Sequence, residues 1–92
     1  MATIRVRIPA ALRAQTNEQS EVEVTAEDVR GVIDALDRQF PGIGTRLRDD
    51  QGELRRFVNI YVNGEDVRFL AGLQTPIRTG DEVSIIPAVA GG

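Results

Sequence analysis

The chain closes on Pro87-Ala88-Val89-Ala90-Gly91-Gly92, and the first chemical question is what such an end could do. Glycine loses more conformational freedom on ordering than any other residue and packs no side chain. Two of them at a terminus add nothing to a strand or helix. They do make the end thin. A segment without side chains passes through a narrow channel, and the carboxylate of Gly92 is presented with no Cβ to hinder attack at its carbon. Other chemistry is scarce. Cys and His are both absent, which removes a thiolate nucleophile, a disulfide framework, Cys or His metal ligation and an imidazole base. Carboxylates, hydroxyls and Tyr61 are all that an autonomous enzyme could use. All 11 basic residues are Arg. A genome rich in Arg codons would give that bias, and so would a chain carrying an activated acyl end. Arg stays protonated where a Lys amine can become a nucleophile. A frayed end with no role is the alternative at this point; on the functional reading the expected roles are attachment at Gly92, recognition of the tail through Val89, Ala90 and Gly91, no catalytic side chain and no metal site.

The composition bounds what holds this end up. Ninety-two residues, 41% hydrophobic and 27% charged, make one small globular domain. A net charge of −3 without a basic run argues against nucleic acid. No apolar stretch is long enough to span a membrane and the N-terminus is not a signal peptide, so the expected location is cytoplasmic.

Periodicity supplies the elements. Thr3 to Ile8 alternates, with Ile4, Val6 and Ile8 on one face, and stops at Pro9. Ala10 to Asn17 reads as a loop anchored by Leu12. Glu21 to Val24 alternates again and completes a hairpin. Thr25 is the expected N-cap of a helix of about four turns, with Asp28 at the capping-box position. Val29, Val32, Ile33, Leu36 and Phe40 form its apolar stripe, and Pro41-Gly42 ends it. Ile43 and Leu47 pin a short helical turn, and residues 48–53 read as an exposed loop. Phe57 to Val62 is the strongest strand and runs into Asn63-Gly64, a two-residue hairpin signal. Glu65 to Phe69 returns as a short edge. Leu70, Leu73 and Ile77 anchor an irregular link, and Glu82 to Ile86 is the last strand.

For both terminal strands to bury their apolar faces under one helix, the last must lie parallel beside the first. The fold class is then α+β: a β-grasp (ubiquitin-like) roll with a mixed sheet of four to five strands on one main helix. Residues 1–87 form the domain and residues 88–92 a flexible Gly-Gly tail. The expected core is Ile4, Val6, Val22, Val29, Val32, Ile33, Leu36, Phe40, Val58, Ile60, Val62, Val83 and Ile85. If Val58, Ile60 and Val62 face in, then Phe57, Asn59 and Tyr61 face out beside Arg55, Arg56 and Arg68. Aromatics and Arg dominate interface hot spots, so Phe57, Tyr61, Arg56 and Arg68 are candidates for partner docking. The alternative, Phe57 tucked under the 41–56 loop, carries equal weight.

At this point the chain resembles a family. Ile8-Pro9-Ala10-Ala11-Leu12-Arg13, then Phe57 through Arg68, then Gly80-Asp81-Glu82-Val83-Ser84-Ile85-Ile86-Pro87 before Ala-Val-Ala-Gly-Gly, are similar to the ThiS/MoaD sulfur carriers, bacterial relatives of ubiquitin. Within it, Phe57 to Phe69 and the ending Pro87 to Gly92 look most like the CysO-type carriers of actinobacterial cysteine synthesis. Molybdopterin-synthase small subunits more often show Pro-Pro where this chain has Pro87-Ala88, and thiamin carriers are usually shorter.

The resemblance implies a mechanism. An E1-like (MoeB/ThiF-type) adenylating sulfurtransferase uses ATP and Mg²⁺, and the Gly92 carboxylate becomes an acyl-adenylate. A sulfur donor displaces AMP and leaves a thiocarboxylate. In the cysteine branch that sulfur attacks an aminoacrylate held on pyridoxal phosphate (PLP) in a cysteine synthase, and a metallopeptidase releases cysteine. The cofactors belong to those partners, and the chain, which binds none, is expected to be monomeric when free. A molybdopterin-synthase small subunit, a thiamin carrier, a ubiquitin-like modifier ligated through Gly92 and a plain β-grasp binding module are the alternatives.

Overall fold

The first hairpin follows from its alternation. In β1 (Ala2–Arg7) every second residue is buried, beginning with Ala2, and β2 (Glu21–Ala26) buries Val22, Val24 and Ala26. The strands pair antiparallel, Ile4 opposite Val24 and Val6 opposite Val22 on the core face. On the outer face Arg5 stands opposite Glu23 and Arg7 opposite Glu21. Opposite charges directly across a strand pair add roughly 0.2–1 kcal/mol each and oppose a slip in register. The computed structural model describes residues Ala2–Pro87. The expected flexible tail, residues 88–92, lies outside the described residues.

Three local expectations give way here. Ala10–Thr16 is a 3₁₀ helix and not a loop. It buries Leu12 and Thr16, four residues apart on one side, and ends at Asn17, whose φ of 54° is left-handed. The Thr16 hydroxyl donates to the Gln19 carbonyl at 3.0 Å, so its burial leaves no unpaired oxygen. Thr25 is not the helix cap. Because β1 begins at Ala2, β2 extends to Ala26 to match it, and Thr25 is held opposite Thr3 in the sheet. The cap passes to Asp28, in extended conformation, whose Oδ1 accepts from the Gly31 N–H at 2.8 Å. Helix α1 (Val29–Gln39) therefore has 11 residues, about three turns.

The end of α1 is coupled to the start of α2 (Ile43–Leu47). The Phe40 N–H still donates to the Leu36 carbonyl, and Gly42 then turns the chain with φ of 104°. Asp37 Oδ1 accepts from the N–H groups of Gly42 (3.1 Å) and Gly44 (2.9 Å), so a side chain of one helix caps the next. Gly44 is required by that approach: a Cβ there would lie 2.8 Å from Asp37 Cγ. The 48–53 segment closes as an Asp49-centred turn, with Oδ1 accepting from the N–H groups of Gln51 and Glu53.

β3 (Val58–Val62) turns at Asn63-Gly64, both at positive φ, into β4, which is only Glu65–Asp66. The expected return strand ends there because Val67–Phe69 winds into a 3₁₀ turn that buries Val67. Leu70 is not the anchor expected of it; it closes that turn and is 43% exposed, while Leu73 and Ile77 are buried. β5 (Glu82–Pro87) lies parallel to β1 and antiparallel to β3. The five-stranded order is β2-β1-β5-β3-β4. One hydrophobic cluster lies between this sheet and α1, and all thirteen expected core residues belong to it. A mixed sheet wrapped on one main helix, with the two terminal strands parallel at its centre, is the β-grasp roll.

Candidate functional site

Sheet topology decides what surrounds the point where the tail leaves. β5 runs toward Pro87 between two partners. β1 is parallel to it, so the segment after β1, the 3₁₀ helix Ala10–Thr16, gathers at the end of the sheet where β5 finishes. β3 is antiparallel and pairs Val58 with Pro87, so the residues preceding β3 gather at the same end. The result is a groove of about 360 Å³ beside Pro87. Ala11 and Leu12 form one wall, Thr45 and Arg46 of α2 another, and Arg55 and Phe57 a third. Val58 and Ile85 lie at its apolar base. Arg55 is held by its Nε–H, which donates to the Thr45 carbonyl at 2.8 Å.

This placement corrects the expected aromatic pair. Phe57 does not share the outer face with Tyr61. Pairing with β5 stops at Val58, so Phe57 lies beyond the last rung, free of strand alternation, and lines the groove at 50% exposure. Nor does it tuck fully beneath the preceding loop. Tyr61 remains in the ladder, half-buried and opposite Ser84, with Asn59 opposite Ile86. Arg56 is exposed. Arg68 is exposed but engaged: Nη1 donates to Asn59 Oδ1 at 2.6 Å and Nη2 to the Arg55 carbonyl at 2.8 Å. It acts as a strut between the turn after β4 and the approach to β3. The reading of the sequence missed the groove, because its walls come from three segments far apart in the chain.

The other end of β5 is fixed by a small polar cluster. Asn63 in the hairpin turn donates from Nδ2 to Asp81 Oδ1 (3.0 Å) and accepts at Oδ1 from the Glu82 N–H (3.0 Å). Asp81 Oδ2 accepts from the Arg78 N–H at 2.8 Å. The Asn63 amide, and after it the Arg78 N–H, hold the Asp81 carboxyl below the usual aspartate range. The neighbouring Arg7–Glu82 ion pair, 3.1 Å apart, has both side chains well exposed and adds little. No helix among the described residues is long and apolar enough to cross a membrane. Among the same residues no group of three or more Asp or Glu is placed to hold a metal ion.

Fold and site together define a ubiquitin-like β-grasp domain whose central strand leads directly into its C-terminal segment. The chain belongs to the ThiS family, whose sequence model matches residues 6–92. It is 50% identical over 91 residues to the sulfur carrier protein CysO of Mycobacterium tuberculosis, covering 97% of this chain and 98% of that one. To the molybdopterin synthase sulfur carrier subunit of the same organism it is 36% identical over 95 residues, with both chains fully covered. Among solved structures, the Amycolatopsis orientalis BexX/CysO complex contains a chain that superimposes with a TM-score of 0.91 at 43% identity, covering 97% of this chain and 99% of that one.

Proposed function

We propose that this protein is a sulfur carrier whose reactive group is the Gly92 carboxylate, and that its sulfur goes to cysteine synthesis. A carboxylate oxygen attacks the α-phosphorus of ATP on an E1-like enzyme, and pyrophosphate leaves. A sulfide equivalent then attacks the acyl carbon, AMP departs, and a thiocarboxylate remains. This chain contributes no catalytic side chain. It supplies a docked body and a side-chain-free tail, with Val89, Ala90 and Gly91 as the part read by the activating site. Mg²⁺ serves the activating enzyme, and PLP serves the cysteine synthase that accepts the sulfur. A metallopeptidase then releases the cysteine.

The observation that carries this reading is the full-length similarity to one carrier over another. Of two carriers from a single organism, the chain is 50% identical to CysO and 36% identical to the molybdopterin synthase subunit. The geometry is in keeping with it: β5 pairs with β1 over residues 82–84 and with β3 from Val83 to Pro87, so the tail follows directly on a strand anchored in the sheet.

Incubation of the protein with its activating enzyme, ATP, Mg²⁺ and sulfide tests the first half. The intact mass should rise by the difference between one sulfur and one oxygen, and the gain should map to the C-terminal peptide. Supply of the thiocarboxylate to a PLP-dependent cysteine synthase tests the second, with a carrier–cysteine adduct as the expected product. A mass gain without that adduct, but with activity in a molybdopterin synthase, would reassign the pathway.

A further inference from the structure

Arginine in this chain has a position as well as a count. All 11 basic residues are Arg. Two of them, Arg46 and Arg55, line the groove of about 360 Å³ that also takes in Pro87, the last described residue before the tail. Arg46 is exposed and Arg55 half-buried. The ion pairs among the described residues use Arg7 and Arg48, so neither groove arginine is matched by a carboxylate there. The root of the tail carries two cations and no amine.

Chain length sets which side chains an activated Gly92 can meet. Only residues 88–92 follow Pro87, and fully extended they span roughly 16–18 Å. Both groove arginines lie well inside that radius. The other end of the sheet lies outside it. Arg5 pairs with Glu82, so Ala2 and Pro87 are eight residues of strand apart, about 26 Å. Helix α1 starts at that far end, because it follows β2, whose last residue Ala26 pairs with Ala2. Arg30, in its first turn, is exposed.

A Lys at position 46 or 55 would set an amine on the path of the activated end. Its lone pair would attack the acyl carbon, forming a C–N bond. The C–O bond to AMP would break, AMP would leave with the electron pair, and the amine proton would pass to water. The product is an internal amide, which sulfide does not reopen. Near pH 8 about 0.4% of an ordinary Lys is neutral, against less than about 0.01% of an Arg. A short flexible tether holds such an amine at a millimolar effective concentration. Arg supplies the same charge with about a hundredfold less nucleophile.

We propose that Arg46 and Arg55 set the acceptor specificity of the activated end: as guanidinium groups at the root of the tail they keep Gly92 from acylating its own chain and leave external sulfur as its acceptor. The proposal rests on the sulfur-carrier reading, since only an activated Gly92 needs such protection.

The test uses the full chain prepared as a Gly92 thioester, which carries an activated acyl group without the activating enzyme. Parent, Arg46→Lys, Arg55→Lys and Arg30→Lys are incubated between about pH 7 and pH 9, where the neutral fraction of a Lys climbs about a hundredfold. Intact mass and peptide mapping separate hydrolysis from the internal amide, which is lighter than the hydrolysed chain by one water. The parent should only hydrolyse. Arg46→Lys and Arg55→Lys should join Gly92 to the substituted side chain, at least about tenfold more than Arg30→Lys does. The amide share should rise with pH as the amine loses its proton. Arg46 is exposed, so its variant decides the matter even if Arg55→Lys, which alters the contact with the Thr45 carbonyl, melts early. No internal amide in Arg46→Lys, as much in Arg30→Lys, or an internal product from the parent would each overturn the proposal. The carrier reading falls separately, if the parent takes up no sulfur from activating enzyme, ATP, Mg²⁺ and sulfide.

Discussion

Single residues carry distinct duties in this molecule, and two of them give direct predictions. Leu36 is fully buried on α1. Leu36→Ala should cost roughly 2–5 kcal/mol, read as a lowered midpoint in a denaturant titration. A loss under about 0.5 kcal/mol, the size of a surface change, would contradict its place at the centre of the core. Asp81 titrates below its ordinary value because the ionised carboxylate accepts from Asn63 and the Arg78 N–H. A group whose folded value is depressed contributes stability above the unfolded value, about 3.9 for Asp, and that contribution is lost as pH falls through the folded one. The parent protein should therefore lose stability below about pH 4 more steeply than Asp81→Asn does. Urea midpoints of the two between neutral pH and about pH 2.5 would show it, and parallel profiles would remove Asp81 from the account. The two roles were not equally legible in the sequence. Leu36 is fixed by helical spacing. Asp81 needs Asn63, eighteen residues away, and no local pattern predicts that meeting.

At the scale of elements, the strands and the main helix follow from period alone, since β1, β3, β5 and the α1 stripe bury the residues their alternation or helical spacing selects. The errors fall where tertiary pairing overrides a local signal. Thr25 has the side chain of a cap, but β1 claims it as a strand partner. Phe57 continues the alternation of β3, but the ladder ends one residue earlier. Residues 10–16 have neither a strand nor a long helical period, and Leu12 and Thr16 turning inward winds them into 3₁₀. The joint between α1 and α2 is the most testable element-level device. Asp37→Ala removes one acceptor from two N–H groups, at Gly42 and Gly44, and should cost about 0.5–2 kcal/mol, as loss of a cap does. Gly44→Ala should be destabilising as well, because its methyl group would displace the same carboxylate. Urea titration of both variants checks this, and parent-like midpoints would show that the joint contributes nothing.

At the scale of the whole molecule, the fold separates holding from reacting. The core runs from Ala2 to Ile85, and the proposed reactant lies seven residues beyond its last member. Ordering five tail residues in a partner costs about 1–2 kcal/mol each, so the affinity has to come from the body and the tail is left to supply the reacting group. The Gly-Gly end and the parallel placement of the terminal strands were both readable from the sequence, because one is composition and the other comes from burying two apolar faces under a single helix. The groove was not, because it exists only after the sheet has brought the end of β1 and the start of β3 to one edge. The central claim is that Gly92 is the reactant of this protein and no part of its support. It is tested most directly by comparing the full chain with the same chain ending at Gly91, after incubation with activating enzyme, ATP, Mg²⁺ and sulfide. The full chain should take up sulfur and the shortened one none, while the two melt at the same temperature. Sulfur uptake by the shortened chain, or its unfolding, would contradict the account.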